Sequence, residues 1–210
     1  EHWALVGPTG SGKTTIISLL LRFYDPTQGQ ILLNGVDIRS LPLAALRHQI
    51  GLVLQDQVFF PGNLLRNLSL GLELPLAQVR RVMAEIGLDR IVMRLPQGYD
   101  TPISEGARNL SEGERQLLSF GRALLRNPQI LILDEATSHV DPDTERSLQR
   151  AMLTLLEGRT ALIIAHRLAT IEQADRILVL RYGELLEQGS HAELMAKQGA
   201  YAQMRTLQTL

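Results

Sequence analysis

The sequence predicts an α/β fold, a mostly parallel sheet covered by helices, with a helical segment inserted into it. Three observations lead there. Strand-like apolar runs alternate with segments of helical period, the pattern of a sheet whose connections are helices. Two of the runs, Ile130-Leu131-Ile132-Leu133 and Ala161-Leu162-Ile163-Ile164-Ala165, are apolar on both faces, as fully buried central strands are. Between Pro61 and Asn127 the strand signal stops and helical periods take over.

Taken in order, the first strand is Trp3–Val6, and the helix after it runs over Lys13–Phe23 until Asp25-Pro26 stops it. Strands at Gln30–Leu33 and Ile50–Leu54 follow. Leu76–Ile86, Asp89–Met93 and Ser111–Arg126 are helices, with no strand expected among them. The chain then returns to strands at Ile130–Leu133, Ala161–Ala165 and Arg176–Arg181, with Glu184–Gln188 as a hairpin partner. One helix, His191–Leu207, closes it. The expected organisation is a single domain whose α/β core is residues 1–60 and 128–210 and whose helical insert is residues 61–127.

Composition narrows the function classes. The 210 residues are 45% hydrophobic and 20% charged, the balance of a globular protein with a buried core. A net charge of -1 supplies no bulk attraction toward nucleic acid or anionic lipid. With no cysteine, disulfide frameworks, thiolate metal sites and cysteine nucleophiles are excluded. No apolar stretch reaches the roughly 18–20 residues that span a bilayer, and no signal peptide is visible. The chain opens on Glu1-His2-Trp3 without methionine and already in a strand, which leads us to expect a piece of a longer protein.

Gly7-Pro8-Thr9-Gly10-Ser11-Gly12-Lys13-Thr14 matches G-x-x-x-x-G-K-[ST], the phosphate-binding P-loop. Glycines let successive backbone N–H groups turn inward onto phosphate oxygens, and the following helix adds the positive end of its dipole. Lys13 is placed to neutralise the β- and γ-phosphates, and the Thr14 hydroxyl to hold Mg²⁺. Thr15 belongs to the same ATP-binding set. The apolar run Ala4-Leu5-Val6 before the loop and the apolar helix after it supply the setting the motif demands.

A second constellation lies at the end of Ile130–Leu133, where Asp134-Glu135 follows. In an open α/β sheet, ligands bind beyond the carboxyl ends of strands. Asp134 is therefore expected in the Mg²⁺ shell, and Glu135 beside a water attacking the γ-phosphate. Alone, an Asp-Glu pair reads more readily as a helix N-cap or solvated turn; after an apolar strand in a chain with a P-loop the functional reading takes precedence. The strand Ala161–Ala165 ends in His166 at the same sheet edge, within reach of the γ-phosphate.

With these elements in this order, the chain resembles the nucleotide-binding domain of an ABC transporter over essentially its whole length. Gln55 matches the family's Q-loop glutamine, and Leu110-Ser111-Glu112-Gly113-Glu114-Arg115-Gln116 falls at its LSGGQ signature. Ser138-His139-Val140-Asp141 matches the D-loop, and His166 the switch histidine. Phe23-Tyr24-Asp25-Pro26-Thr27-Gln28-Gly29, Asn34-Gly35-Val36-Asp37-Ile38 and Val53-Leu54-Gln55-Asp56 resemble the exporter type.

The resemblance implies a P-loop NTPase (RecA-like) core, an inserted α-helical subdomain and a small antiparallel β part truncated at the N-terminus. It implies catalytic roles for Glu135, His166 and Gln55, and Mg²⁺ held by Thr14, Gln55 and Asp134. Ser111, Glu112, Gly113 and Glu114 would face the ATP of a second such domain, with Asp141 in the D-loop. The expected setting is the cytoplasmic face of a cell membrane, on a transmembrane domain of six helices touched by Thr101–Gly106, with no nucleic acid partner. A soluble ABC ATPase acting on ribosomes or DNA is the alternative, and a regulatory module without turnover a third.

Two departures from the family pattern stand out. Its adenine-stacking aromatic lies upstream of the first residue, and Trp3 reads as core instead. Glu112 and Glu114 replace a glycine and the glutamine of the signature, which favours a heterodimer in which this chain serves one weak ATP site.

Overall fold

The computed structural model describes residues 1–55, 57–134, 142–165 and 168–208. The first part of the chain forms β1 (His2–Val6), α1 (Lys13–Leu20), β2 (Leu32–Leu33), β3 (Val36–Asp37), α2 (Leu43–Gln49) and β4 (Ile50–Val53). Next come β5 (Gly62–Asn63), α3 (Leu64–Ser69), α4 (Leu76–Glu85), α5 (Asp89–Arg94), β6 (Pro102–Ile103) and α6 (Glu112–Arg126). The remainder is β7 (Ile130–Asp134), α7 (Pro142–Leu156), β8 (Thr160–Ile164), α8 (Leu168–Glu172), β9 (Arg176–Arg181), β10 (Glu184–Gly189), α9 (His191–Lys197) and α10 (Ala200–Gln208).

A six-stranded sheet has the order β10-β9-β1-β8-β7-β4. The pairs β7–β8, β8–β1 and β1–β9 are parallel, and β10 returns antiparallel along β9. Register follows burial. Leu5 sits between Ile164 and Leu178, and Ile132 lies opposite Leu162. Ala4, Leu5, Leu131 and Ile132 are wholly buried, so the central strands are apolar on both faces as the sequence requires. The fold is therefore mixed α/β with a mostly parallel sheet.

By contacts the chain forms two compact units. One holds the body of this sheet with α1, α2, α8, α9, α10 and the β2–β3 hairpin; the other holds α3 to α7 and the β5–β6 ladder. In the second unit α6 packs on α3, α4 and α7, around Leu64, Leu68, Met83, Leu118 and Leu155. Gly121 permits the approach of α6 to α4, since a Cβ there would lie 2.8 Å from Met83 Sδ.

Several elements differ from the sequence expectation, each for a local reason. The closing helix is two helices, because Gln198 turns left-handed (φ 51°) and caps α9. The first helix stops at Leu20 rather than Phe23, since Arg22 also adopts a left-handed turn. The stretch expected to be free of strands holds the two-residue ladder of β5 and β6, too short to give a period. Helix α3 escaped the reading for the same reason. Gln30–Leu33 contributes only Leu32–Leu33. Trp3, expected in the core, is half-buried, its indole N–H donating to the Glu1 carboxylate.

The start of α10 is held from outside. A register shift in β10 between Leu185 and Glu187 aims the Glu187 carboxylate at the helix, where it accepts from the backbone N–H groups of Ala200 (2.9 Å) and Tyr201 (3.0 Å). Gly199 leaves room for it, as a Cβ there would fall 1.8 Å from Glu187 Oε1. Glu187→Ala is expected to cost about 1 kcal/mol, the usual worth of a lost N-cap. Gly199→Ala, by expelling the same carboxylate, should not add to it. Urea midpoints of the two single variants and the double variant check both statements.

Candidate functional site

The P-loop leaves the carboxyl end of β1, and Asp134 ends β7, two strands away in the same parallel sheet. Both therefore reach the same sheet edge, where ligands of such sheets bind. The loop turns at Gly7 (φ 155°), where a Cβ would lie 2.3 Å from the carbonyl oxygen of Leu180 on β9. Only glycine fits that approach. Gly12, left-handed at φ 102°, is the N-cap of α1, and the first helical bond is Ile16 N–H to Gly12 O at 3.1 Å. The N–H groups of Lys13, Thr14 and Thr15 precede that bond and point out of the helix end, giving a cradle for an anion. Pro8, Thr9, Gly10, Thr14 and Thr15 are exposed, whereas Ser11 is buried.

The Lys13 ammonium donates to the carbonyls of Gly7 (2.7 Å) and Pro8 (3.0 Å). Burial lowers its pKa from the ordinary lysine value, and the negative charge of Asp134 partly restores it. That electrostatic coupling places the lysine and the acidic strand end in one neighbourhood. Thr14 and Asp134 are hard oxygen donors of the kind that suits Mg²⁺, and they belong to the same unit.

One support of the cradle was not visible in the sequence. The β9–β10 turn at Tyr182-Gly183 tucks beneath the loop, the Gly183 N–H donating to Ser11 O at 3.0 Å. Its Cα would stand 3.5 Å from a Cβ on Gly12. The Tyr-Gly pair marks a turn, yet nothing in its spacing says what the turn touches.

In the other unit, Ser111 is the N-cap of α6 and forms a capping box with Glu114. Ser111 Oγ accepts from the Glu114 N–H at 3.3 Å, and the Glu114 carboxylate accepts from the Ser111 N–H at 2.8 Å. Glu112 is exposed and Gly113 buried, while Arg115 donates to the carbonyl of Leu110 at 2.9 Å. Gln55 is exposed just after β4. Glu135, Asp141 and His166 lie outside the described residues.

Residues 1–138 match the family described as ABC transporter. The chain belongs to the ABC transporter family. ATP binding comes with that membership. The ABC domain is 49% identical over 212 residues to an ATP-dependent lipid A-core flippase of Cupriavidus metallidurans, covering 99% of this chain and 36% of that protein. It is 47% identical over 209 residues to a probable multidrug resistance ABC transporter ATP-binding/permease protein of Bacillus subtilis, covering 99% of this chain and 31% of that one. Among solved structures, a bacterial Atm1-family ABC exporter with ATP bound superposes with a TM-score of 0.91 at 42% identity, covering 99% of this chain and 36% of the exporter. The ABC domain thus spans about a third of the length of the relatives it matches.

Replacing Lys13 by alanine should weaken ATP binding by about 1.5–3 kcal/mol, the worth of hydrogen bonds to a charged group. ADP should lose less, because it lacks the γ-phosphate. The fold should persist, since among the described residues the lysine bonds only its own loop. Titrations of wild type and variant with both nucleotides, alongside circular dichroism, measure each part.

Proposed function

We propose that this chain is the ATP-hydrolysing engine of an ABC exporter, working on the cytoplasmic face of a membrane and dimerising around two ATP molecules. The observation that carries the reading is the P-loop with Asp134 at one edge of a parallel sheet. The chain-long likeness to ATP-binding/permease proteins and to an exporter with ATP bound favours it over a soluble ABC ATPase. Residues 1–60 and 128–210 would form the nucleotide core, and 61–127 the helical subdomain that carries the signature.

The chemistry follows from the residues. The backbone N–H groups of Lys13, Thr14 and Thr15 at the start of α1 hold the triphosphate, and Lys13 leaves its loop carbonyls to meet the β- and γ-oxygens. Thr14, Asp134 and Gln55 would hold Mg²⁺, which would supply positive charge against the phosphates. Glu135 accepts a proton from the attacking water, and His166 donates a hydrogen bond to the γ-phosphate. Asp141 acts at the contact between the two domains.

No helix among the described residues is long and apolar enough to cross a membrane, so the membrane part of the proposal rests on a fused permease of the kind the relatives carry. The β5–β6 ladder supports a docking role for Thr101–Gly106. It pairs Gly62 with Ile103 and Asn63 with Pro102, bringing that loop beside the exposed Phe60.

The signature supports a heterodimer with one weak site. In the capping box the Ser111 N–H donates to the Glu114 carboxylate and the Glu114 N–H to the Ser111 hydroxyl oxygen, so two backbone donors that would meet the partner's γ-phosphate are taken and the Ser111 O–H remains. A carboxylate about 8 Å from that phosphate repels it by about 2 kcal/mol per charge pair at an effective dielectric near 20.

Two results test this. Glu135→Gln in the full-length transporter should leave ATP affinity nearly intact and cut turnover by about 10²–10⁴, the scale of general-base catalysis; a near wild-type rate removes Glu135 from that role. The purified full-length protein should turn over ATP slowly alone. It should speed up with a partner that carries a regular signature but lacks the counterparts of Glu135 and His166. A homodimer hydrolysing at both sites overturns the heterodimer.

A further inference from the structure

Helix α6 does more than present Ser111 at its start. Farther along it, the half-buried Arg122 reaches the segment that follows Gln55. Each guanidinium nitrogen finds an acceptor: Nε donates to the carbonyl of Asn67 (2.6 Å), Nη1 to the carbonyl of Val58 (2.6 Å) and Nη2 to Asn67 Oδ1 (2.9 Å). The same group lies over the ring of Phe59, 4.4 Å from its centroid. Asn67, 1% exposed, completes the arrangement. Its Oδ1 accepts from the Phe60 N–H (3.0 Å), and its Nδ2 donates to the carbonyls of Phe60 (2.8 Å) and Asn63 (3.1 Å).

Asn67 thus pairs with the backbone of Phe60 much as a neighbouring strand would. Phe59 is anchored at 4% exposure, while Val58 and Phe60 face outward at 61% and 51%. Burial pushes the Arg122 guanidinium down to about 10, which leaves it charged at neutral pH. Removing it would strand the acceptors it serves. A lysine cannot replace it, because one ammonium cannot serve three acceptors and a ring in a single plane.

We propose that Arg122 is a positioning residue which, with Asn67, makes residues 57–60 a rigid extension of the signature helix, so that movement at Ser111 is passed to the Gln55 segment and to the outward faces of Val58 and Phe60. The transmission length is set by the helix. Arg122 lies eleven positions after Ser111 in the sequence, about 16 Å at roughly 1.5 Å per residue. All of these groups belong to one unit, so the tie does not depend on how the two units are arranged. This inference rests on the exporter-ATPase reading, since it assigns the tie a part in that cycle.

The test uses the full-length transporter carrying Arg122→Lys. The KM for ATP should stay within about twofold of wild type and kcat should fall about ten- to a hundredfold, the cost of misplacing a group that does not itself react. A nitroxide attached through Val58→Cys, unique among 210 residues that contain no cysteine, should gain a mobile spectral component in the variant. A merely structural role would lower stability while leaving kcat and the spectrum of the folded protein unchanged. If Arg122→Lys does not fold, Asn67→Asp decides by the same measurements. It keeps the acceptor for Arg122 but loses the donors to Phe60 and Asn63, and should show the same split to a smaller degree. A folded variant with wild-type kcat, or one whose kcat falls with no change in the label, overturns the proposal. A wild-type transporter that hydrolyses no ATP is a separate failure, one of the ATPase reading itself.

Discussion

Where the chain leaves β1 at Gly7, it runs so close to β9 that a side chain would overlap the carbonyl of Leu180, and the construction of the phosphate cradle depends on this crowding. The loop that follows has the carbonyls of Gly7, Pro8 and Ser11 engaged by the protein itself. Lys13 takes those of Gly7 and Pro8, and Gly183 takes that of Ser11. With those three acceptors occupied before nucleotide arrives, the donors at the start of α1 are the groups offered beyond the strand end. A concave array of N–H groups is selective for anions only when its carbonyls are turned away, and here the turning is enforced by neighbours as well as by the glycine conformations. The sheet therefore shapes the loop as well as placing it.

The helical unit is organised by a different economy, in which polar groups bind backbone rather than ligand. Arg122 and Asn67 give an irregular segment the hydrogen bonds that a strand partner would otherwise supply, which satisfies buried backbone groups without any regular element. Ser111 and Glu114 do the same for the free N–H groups at the start of α6. A capping box is a stabilising motif worth roughly 1 kcal/mol, yet in an ABC domain it occupies two backbone N–H groups, those of Ser111 and Glu114, that a signature motif would offer. Stability of the helix and availability of its end are thus in competition at Glu114.

Much of the fold was legible because its strands are long enough to show a period. Ile130–Leu133 and Arg176–Arg181 were found nearly to the residue, since strands of five and six residues with an apolar middle leave few other readings. Two-residue strands such as Gly62–Asn63 have no period to read, and the break at Gln198 is a single left-handed residue inside an apolar pattern that continues through Leu194 and Tyr201. The P-loop was legible because its chemistry fixes both residue type and spacing, and Asp134 because a sheet brings strand ends together. Arg122 and Asn67 were not, because a side chain bonding to distant backbone obeys no periodic rule. One hint existed: Asn67 lies on the buried face of α3, between Leu64 and Leu68, and a buried amide needs partners.

The strand that carries the cradle sits in the middle of the sheet, with β8 and β9 as its neighbours. His2 pairs with Ala161 and Trp3 with Arg176, so both ladders join residues far apart in the chain. During synthesis this apolar strand leaves the ribosome before either of its neighbours, and it gains neither until most of the domain has been made. Sheets closed by such distant pairings form slowly and expose unpaired edges in the interval. The segment that holds the nucleotide loop is therefore made before its neighbours and completed late, and the growing chain depends on whatever shields Ala4-Leu5-Val6 in the meantime.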